Sequence, residues 1–198
     1  MLLPLMLLAP PAIQALQAPA ATQALNQVQE QLEAIPEAFI AGKAGSMRTL
    51  VAKAQAGWKQ ALPELQKAMP EPERLAMEMQ LKAMGRMKPR EMAVGALGIS
   101  STLSRFQPHS RQQDLLNADR TAMLAWCTVD AKSWQQLPAL AEAFRPLLEQ
   151  DNGRHPQAVQ ATRESLKDFQ ASQQMRQPAA AKKILKKLLQ LVDDFEKP

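Results

Sequence analysis

The residues of this chain that could carry chemistry are two histidines, one cysteine, eleven methionines and a set of clustered lysines and arginines. His109 and His155 both stand beside prolines, in Pro108-His109 and His155-Pro156, rather than on a helical face. A metal site inside a helical bundle needs His or carboxylates projecting inward from facing helices, as in Glu-x-x-His at i, i+3. That spacing does not occur, and no Cys-x-x-Cys-His is present to attach haem. Met77, Met79, Met84, Met87 and Met92 could in principle hold a soft metal, but their setting in helical stretches favours adaptable core packing. No Ser-His-Asp set, inward carboxylate pair or phosphate loop can be assembled. Gly95 and Gly98 lack G-x-G-x-x-G spacing and are expected to permit close helix packing. Cys127 has no second cysteine to pair with and lies among Leu124, Ala125, Trp126 and Val129, the setting of an inert buried thiol. The expectation is a protein that is not an enzyme and uses no cofactor and no metal.

Charge offers a different kind of chemistry. Arg86, Lys88 and Arg90 form one dense basic group, with Arg105 and Arg111 further along, and Lys182, Lys183, Lys186 and Lys187 form another. Such groups favour docking on an acidic partner or a membrane surface, and Arg86, Lys88, Arg90, Lys182, Lys183, Lys186 and Lys187 are the expected partner-docking set. The net charge of +5 is mild, and the cations are spread over most helices rather than concentrated in one tract. No nucleic-acid motif occurs, and the three tryptophans do not interleave with basic residues as a stacking platform requires, so nucleic acid is not an expected partner. The tryptophans lie on apolar faces and are expected in the core.

The elements that must position these groups are helices. Seven glycines, no tyrosine, 4% aromatic residues and abundant Ala, Leu, Gln and Met exclude a β-rich chain, so the expected class is all-α. Leu25, Val28, Leu32, Ile35, Phe39 and Ile40 keep helical spacing until Gly42 to Gly45 breaks it. Ser46 can cap a second helix carrying Leu50, Val51, Ala54, Trp58, Leu62 and Leu65, stopped by Pro70 and Pro72. Pro36 and Pro63 should kink these helices or end them early. Leu75–Met84 and Pro89–Phe106 complete a first set of four, and Gln107–Arg111 is the expected linker. A fifth helix carries Leu115 to Trp126 and ends near Asp130. Ser133 should cap a sixth holding Trp134, Leu137, Leu140, Phe144 and Leu147. After a turn at Asp151–Pro156, Val159–Gln173 and Pro178–Phe195 are the seventh and eighth. The last has the clearest apolar face, Ile184, Leu185, Leu188, Leu189, Val192 and Phe195, with its lysines turned away.

Two stretches echo each other. Leu81-Lys-Ala-Met-Gly-Arg-Met87-Lys-Pro89 parallels Phe169-Gln-Ala-Ser-Gln-Gln-Met175-Arg-Gln-Pro178, with one residue more in the later copy. Ser46-Met-Arg-Thr-Leu50 and Ser133-Trp-Gln-Gln-Leu137 give a weaker match at a similar separation. A tandem duplication follows as an expectation, with residues 21–106 and 112–198 as two antiparallel four-helix up-and-down units. Residues 1–20 pair an apolar run, Leu2 to Ala9, with Ala18-Pro19-Ala20, and read as an export or lumen-targeting segment, although no basic residue precedes the run.

The segment Val129-Asp-Ala-Lys-Ser-Trp134-Gln-Gln-Leu137, followed by Ser165-Leu-Lys-Asp-Phe169 and Met175-Arg-Gln-Pro178-Ala-Ala-Ala181-Lys-Lys183, resembles the PsbQ-like extrinsic subunits of photosystem II. The resemblance covers about residues 112–197. It implies a four-helix bundle with an aspartate- and tryptophan-bearing joint between its first two helices and a basic-x-Pro turn before its fourth. It also implies a non-catalytic protein of the thylakoid lumen that docks on the photosystem and supports oxygen evolution. Two features depart from that family: shorter second and third helices, and a further diverged unit in residues 21–106. An exported periplasmic adaptor or chaperone-like binding protein is the alternative expectation.

Overall fold

The apolar spacing of the first stretch, Leu25, Val28, Leu32 and Ile35, winds into one long helix whose inner stripe is fully buried. The computed structural model describes residues 19–66, 69–129 and 140–197. Among them are eight α-helices and no strand: α1 (Pro19–Ile40), α2 (Met47–Leu65), α3 (Glu71–Met84), α4 (Pro89–Ser104), α5 (Arg111–Thr128), α6 (Leu140–Gln150), α7 (Pro156–Gln174) and α8 (Pro178–Glu196). The expected all-α class is therefore the observed one. The targeting segment falls outside the described residues except for Pro19 and Ala20, which open α1. Ser133, Trp134, Leu137 and the rest of the joint after Val129 also lie outside them.

Four local expectations are corrected. Pro36 does not end α1, because it is itself buried within the stripe that packs on the core, and that packing outweighs the missing hydrogen bond. Pro63 likewise sits inside α2, whose Trp58, Ala61 and Leu65 are buried around it. Ser46 makes no side-chain cap. It closes a short 3-10 turn, Ala44–Ser46, and its hydroxyl donates to the Lys43 carbonyl at 2.9 Å. Gly98 faces open space, so close packing does not require it; at Gly95 a side chain would meet Met84 at 3.4 Å.

Pro72, Pro89, Pro156 and Pro178 all stand in the first turn of their helices, where a missing N–H costs nothing. Gly42, at φ 73, supplies the left-handed residue that ends α1. Before α8, Arg176 takes that conformation at φ 54 without being glycine.

The helices pack in two rings. α1 lies along α2 and α4, and α3 lies on α2 and α4; α5 lies along α6 and α8, and α7 on α6 and α8. Each ring has its own apolar cluster. The first includes Leu25, Leu32, Trp58, Met84 and Phe106; the second includes Phe144, Phe169, Leu185, Leu188 and Phe195. The rings meet where α5 packs on α1 and α4, with Trp126 and Leu189 touching both clusters. Met77, Met84 and Met92 fill the core as expected and Met87 is half-buried, but Met79 is 66% exposed.

Candidate docking site at the seam of the two rings

The two basic groups stand far apart in sequence, yet one member of each reaches the same turn of α5. Pro89 starts α4 so that Arg90 extends sideways, and its Nε donates to the Cys127 carbonyl at 2.6 Å. That carbonyl belongs to the last turn of α5, where the helix lacks its own donors and carries a partial negative charge. Pro178 starts α8 so that Lys182 lies over the Trp126 ring, with Nζ 4.9 Å from its centroid. Phe39 of α1 meets the same ring edge-on, at 5.9 Å between centroids and 87° between planes. Trp126 of α5 is thus flanked by residues of α1 and α8.

The Cys127 thiol is free and buried here. Burial pushes it up to about 12, and the nearby Arg90 and Lys182 only partly oppose this. It stays a neutral thiol, as expected of a packing residue. Arg90 at the Cys127 carbonyl and Lys182 over the adjacent Trp126 ring place one member of each basic group in one neighbourhood. Arg90 Nη2 is buried there without a hydrogen-bond partner.

The remaining docking residues separate into two sets. Arg86, Lys88, Lys183 and Lys187 are exposed, the first two just before α4 and the other two within α8. Lys186 is exposed too, and it lines a groove of about 330 Å³ with Glu37, Asp119, Met123 and Asp193. Asp119 in this groove is pushed up to about 7, chiefly by burial and then by the negative charge of Glu33, Glu37 and Asp193, with Arg120 opposing. Glu37 is also raised, by burial first and then by Glu33 and Asp193. Lys186 thus stands at the edge of an acidic groove, one turn beyond Lys182 on α8.

Polar contacts around α1, some between the rings and some within the first ring, were not among the sequence expectations. Arg120 of α5 donates through Nε to Glu33 Oε1 of α1 at 2.7 Å, and its Nη1 donates to Ser104 Oγ of α4. Gln29 Nε2 donates to the Ser100 carbonyl at 3.2 Å, and Gln107 Nε2 donates to Gln29 Oε1 at 2.7 Å. Gln107, expected as part of a linker, is buried and structural. One signal could have found this cluster: Gln29 and Glu33 lie one turn apart beside the apolar stripe of α1.

The histidines are in loops as expected. His109 is exposed near Asp114, and His155 precedes α7. Among the described residues no group of three or more His, Cys, Asp or Glu could hold a metal, and no helix is long and apolar enough to cross a membrane. Compared with known proteins, the chain matches no family model, no curated protein and no solved structure.

Proposed function

We propose that this chain is a non-catalytic docking protein that binds an acidic face of a larger complex through the basic end built on the α5 C-terminus. The observation that carries this reading is the meeting of Arg90 and Lys182 at Trp126–Cys127. One member of each of two basic groups distant in sequence is thereby brought to one turn of α5, and Arg86, Lys88, Lys183 and Lys187 of the same groups are exposed. Such a surface steers an acidic partner into register and weakens as salt rises.

The specific form of the reading is an extrinsic subunit of photosystem II in the thylakoid lumen, peripheral to the membrane. It rests on the resemblance of the Met175-Arg-Gln-Pro178 turn, which connects two antiparallel-capable helices, α7 and α8, as that resemblance implies. We also propose that the two rings are tandem four-helix units. Met87 and Met175 both lie in the turn before the fourth helix of their ring, and Phe106 and Phe195 are both buried at its far end.

The test is a graded salt wash of membranes from the source organism. The Debye length falls from about 10 Å at 0.1 M to about 3 Å at 1 M, so the protein should be released in that range without detergent. Replacing Arg86, Lys88 and Lys183 with glutamate should release it at lower salt. Retention through 1 M salt would overturn docking by charge. Salt release from membranes that lack photosystem II would keep docking and remove the photosystem.

A further inference from the structure

The end of α8 is held by side chains from two other elements. Arg111 Nη2, at the start of α5, donates to the Phe195 carbonyl at 3.3 Å. His155, just before α7, approaches the Lys197 carbonyl through Nε2 at 2.9 Å, and its ring meets Phe195 edge-on at 5.8 Å. The other ring nitrogen, Nδ1, lies 2.6 Å from Asp151 Oδ1. Asp151 is itself buried and fixed, because its Oδ2 accepts the His155 backbone N–H at 2.8 Å.

Both ring nitrogens of His155 therefore face oxygen acceptors. A neutral imidazole has one donor and one lone pair, so it would point that lone pair at a carboxylate or at a carbonyl. Only the doubly protonated ring satisfies both contacts. We propose that the last turn of α8 is a proton-operated latch, docked while His155 carries both ring protons and loosened when it loses one.

The surroundings fit this assignment. Asp151, in the same loop, supplies the opposing charge; Arg111 of α5 opposes protonation. Arg154 and Asp194 line the cleft beside the ring, and Asp194 is engaged by Lys197 Nζ at 2.5 Å. The net effect raises the His155 value above its usual range, through the Lys197 carbonyl first and then Asp151. On Asp151, burial pushes up, but the His155 amide and ring outweigh it and hold the carboxyl low. The sign follows directly: a raised histidine stabilises the docked state fully below its free value, and this is lost as pH rises through the raised value. Loosening the turn uncovers Phe195, which closes one end of the second apolar cluster.

The test uses the full chain carrying His109→Asn, so that His155 is the sole imidazole. Hydrogen exchange at the Phe195, Glu196 and Lys197 amides, corrected for intrinsic rates, should quicken about three- to tenfold between pH 5.5 and pH 9. His155→Gln should remove that dependence. Exchange that stays flat with pH in the parent would overturn the latch. Nitrogen-15 shifts of the His155 ring give a readout independent of whether the glutamine variant folds. Both nitrogens should be protonated at pH 5.5 and one should lose its proton in step with the loss of protection. A singly protonated ring at pH 5.5 would overturn the proposal equally.

Discussion

Arg120 on α5 and Glu33 on α1 form an ion pair 2.7 Å long across the junction of the two helical rings, with only 4% and 13% of their side chains exposed. Ser104 of α4 accepts a further bond from the same guanidinium, and Ser100 Oγ donates to Glu33 Oε1 at 3.2 Å. A charge pair taken out of water at such a junction fixes how the rings meet more than it adds to stability. It explains why α5 belongs to both packing environments.

Removing one member of that pair should strand the other. Arg120→Met is expected to cost about 3–5 kcal/mol, read from urea unfolding. Adding Glu33→Gln should recover a large part of the loss, since the stranded carboxylate is gone. Losses that simply add would show that the two residues are not coupled.

Stability should fall as pH rises from acid toward neutrality because of the groove around Asp119. A carboxyl raised to about 7 from 3.8 contributes most when neutral in both states, below its unfolded value, and that contribution is lost as pH rises to about 7. Asp119→Asn should stabilise the protein at pH 8 by on the order of 1–3 kcal/mol and leave pH 4 nearly unchanged. Thermal melts at the two pH values check it; equal shifts at both would contradict the assignment.

Alanine substitutions should separate core from surface within the apolar residues. Leu185→Ala, at a fully buried site, is expected to cost about 2–5 kcal/mol. Met79→Ala and Met175→Ala, at exposed sites, should change stability by less than about 0.5 kcal/mol. Chemical denaturation of the three variants decides it.

Cys127 should resist alkylation while the chain is folded. With its thiol buried and pushed up to about 12, iodoacetamide at pH 8 should react on the order of a hundredfold slower than in urea. A native rate equal to the unfolded one would place the thiol at the surface.

Lys186 should differ from its neighbours in partner binding. Lys186→Gln should change partner release in salt less than its neighbours do, because the residue borders the groove that holds Glu37, Asp119 and Asp193. Lys183→Gln should lower the salt needed for release. Equal effects from both would mean that the groove and the basic end form one surface.

What the amino-acid order determined by itself was local. Apolar residues at helical spacing, prolines in first turns and Gly42 after α1 set eight helices and most of their limits, because these signals act within a few residues. The buried face of α8 and the inert Cys127 were legible for the same reason. Pro36 misled because its penalty is local while the packing that offsets it comes from other helices. Only the tertiary structure decided which charges share a space. Arg90 and Lys182 meet through α5, Lys186 borders an acidic groove, Arg120 reaches Glu33, and His155 reaches the end of α8. Each pairing joins residues that belong to different elements of the chain. Helical periodicity gives the direction of a side chain from its own axis and carries no information about which other helix lies there.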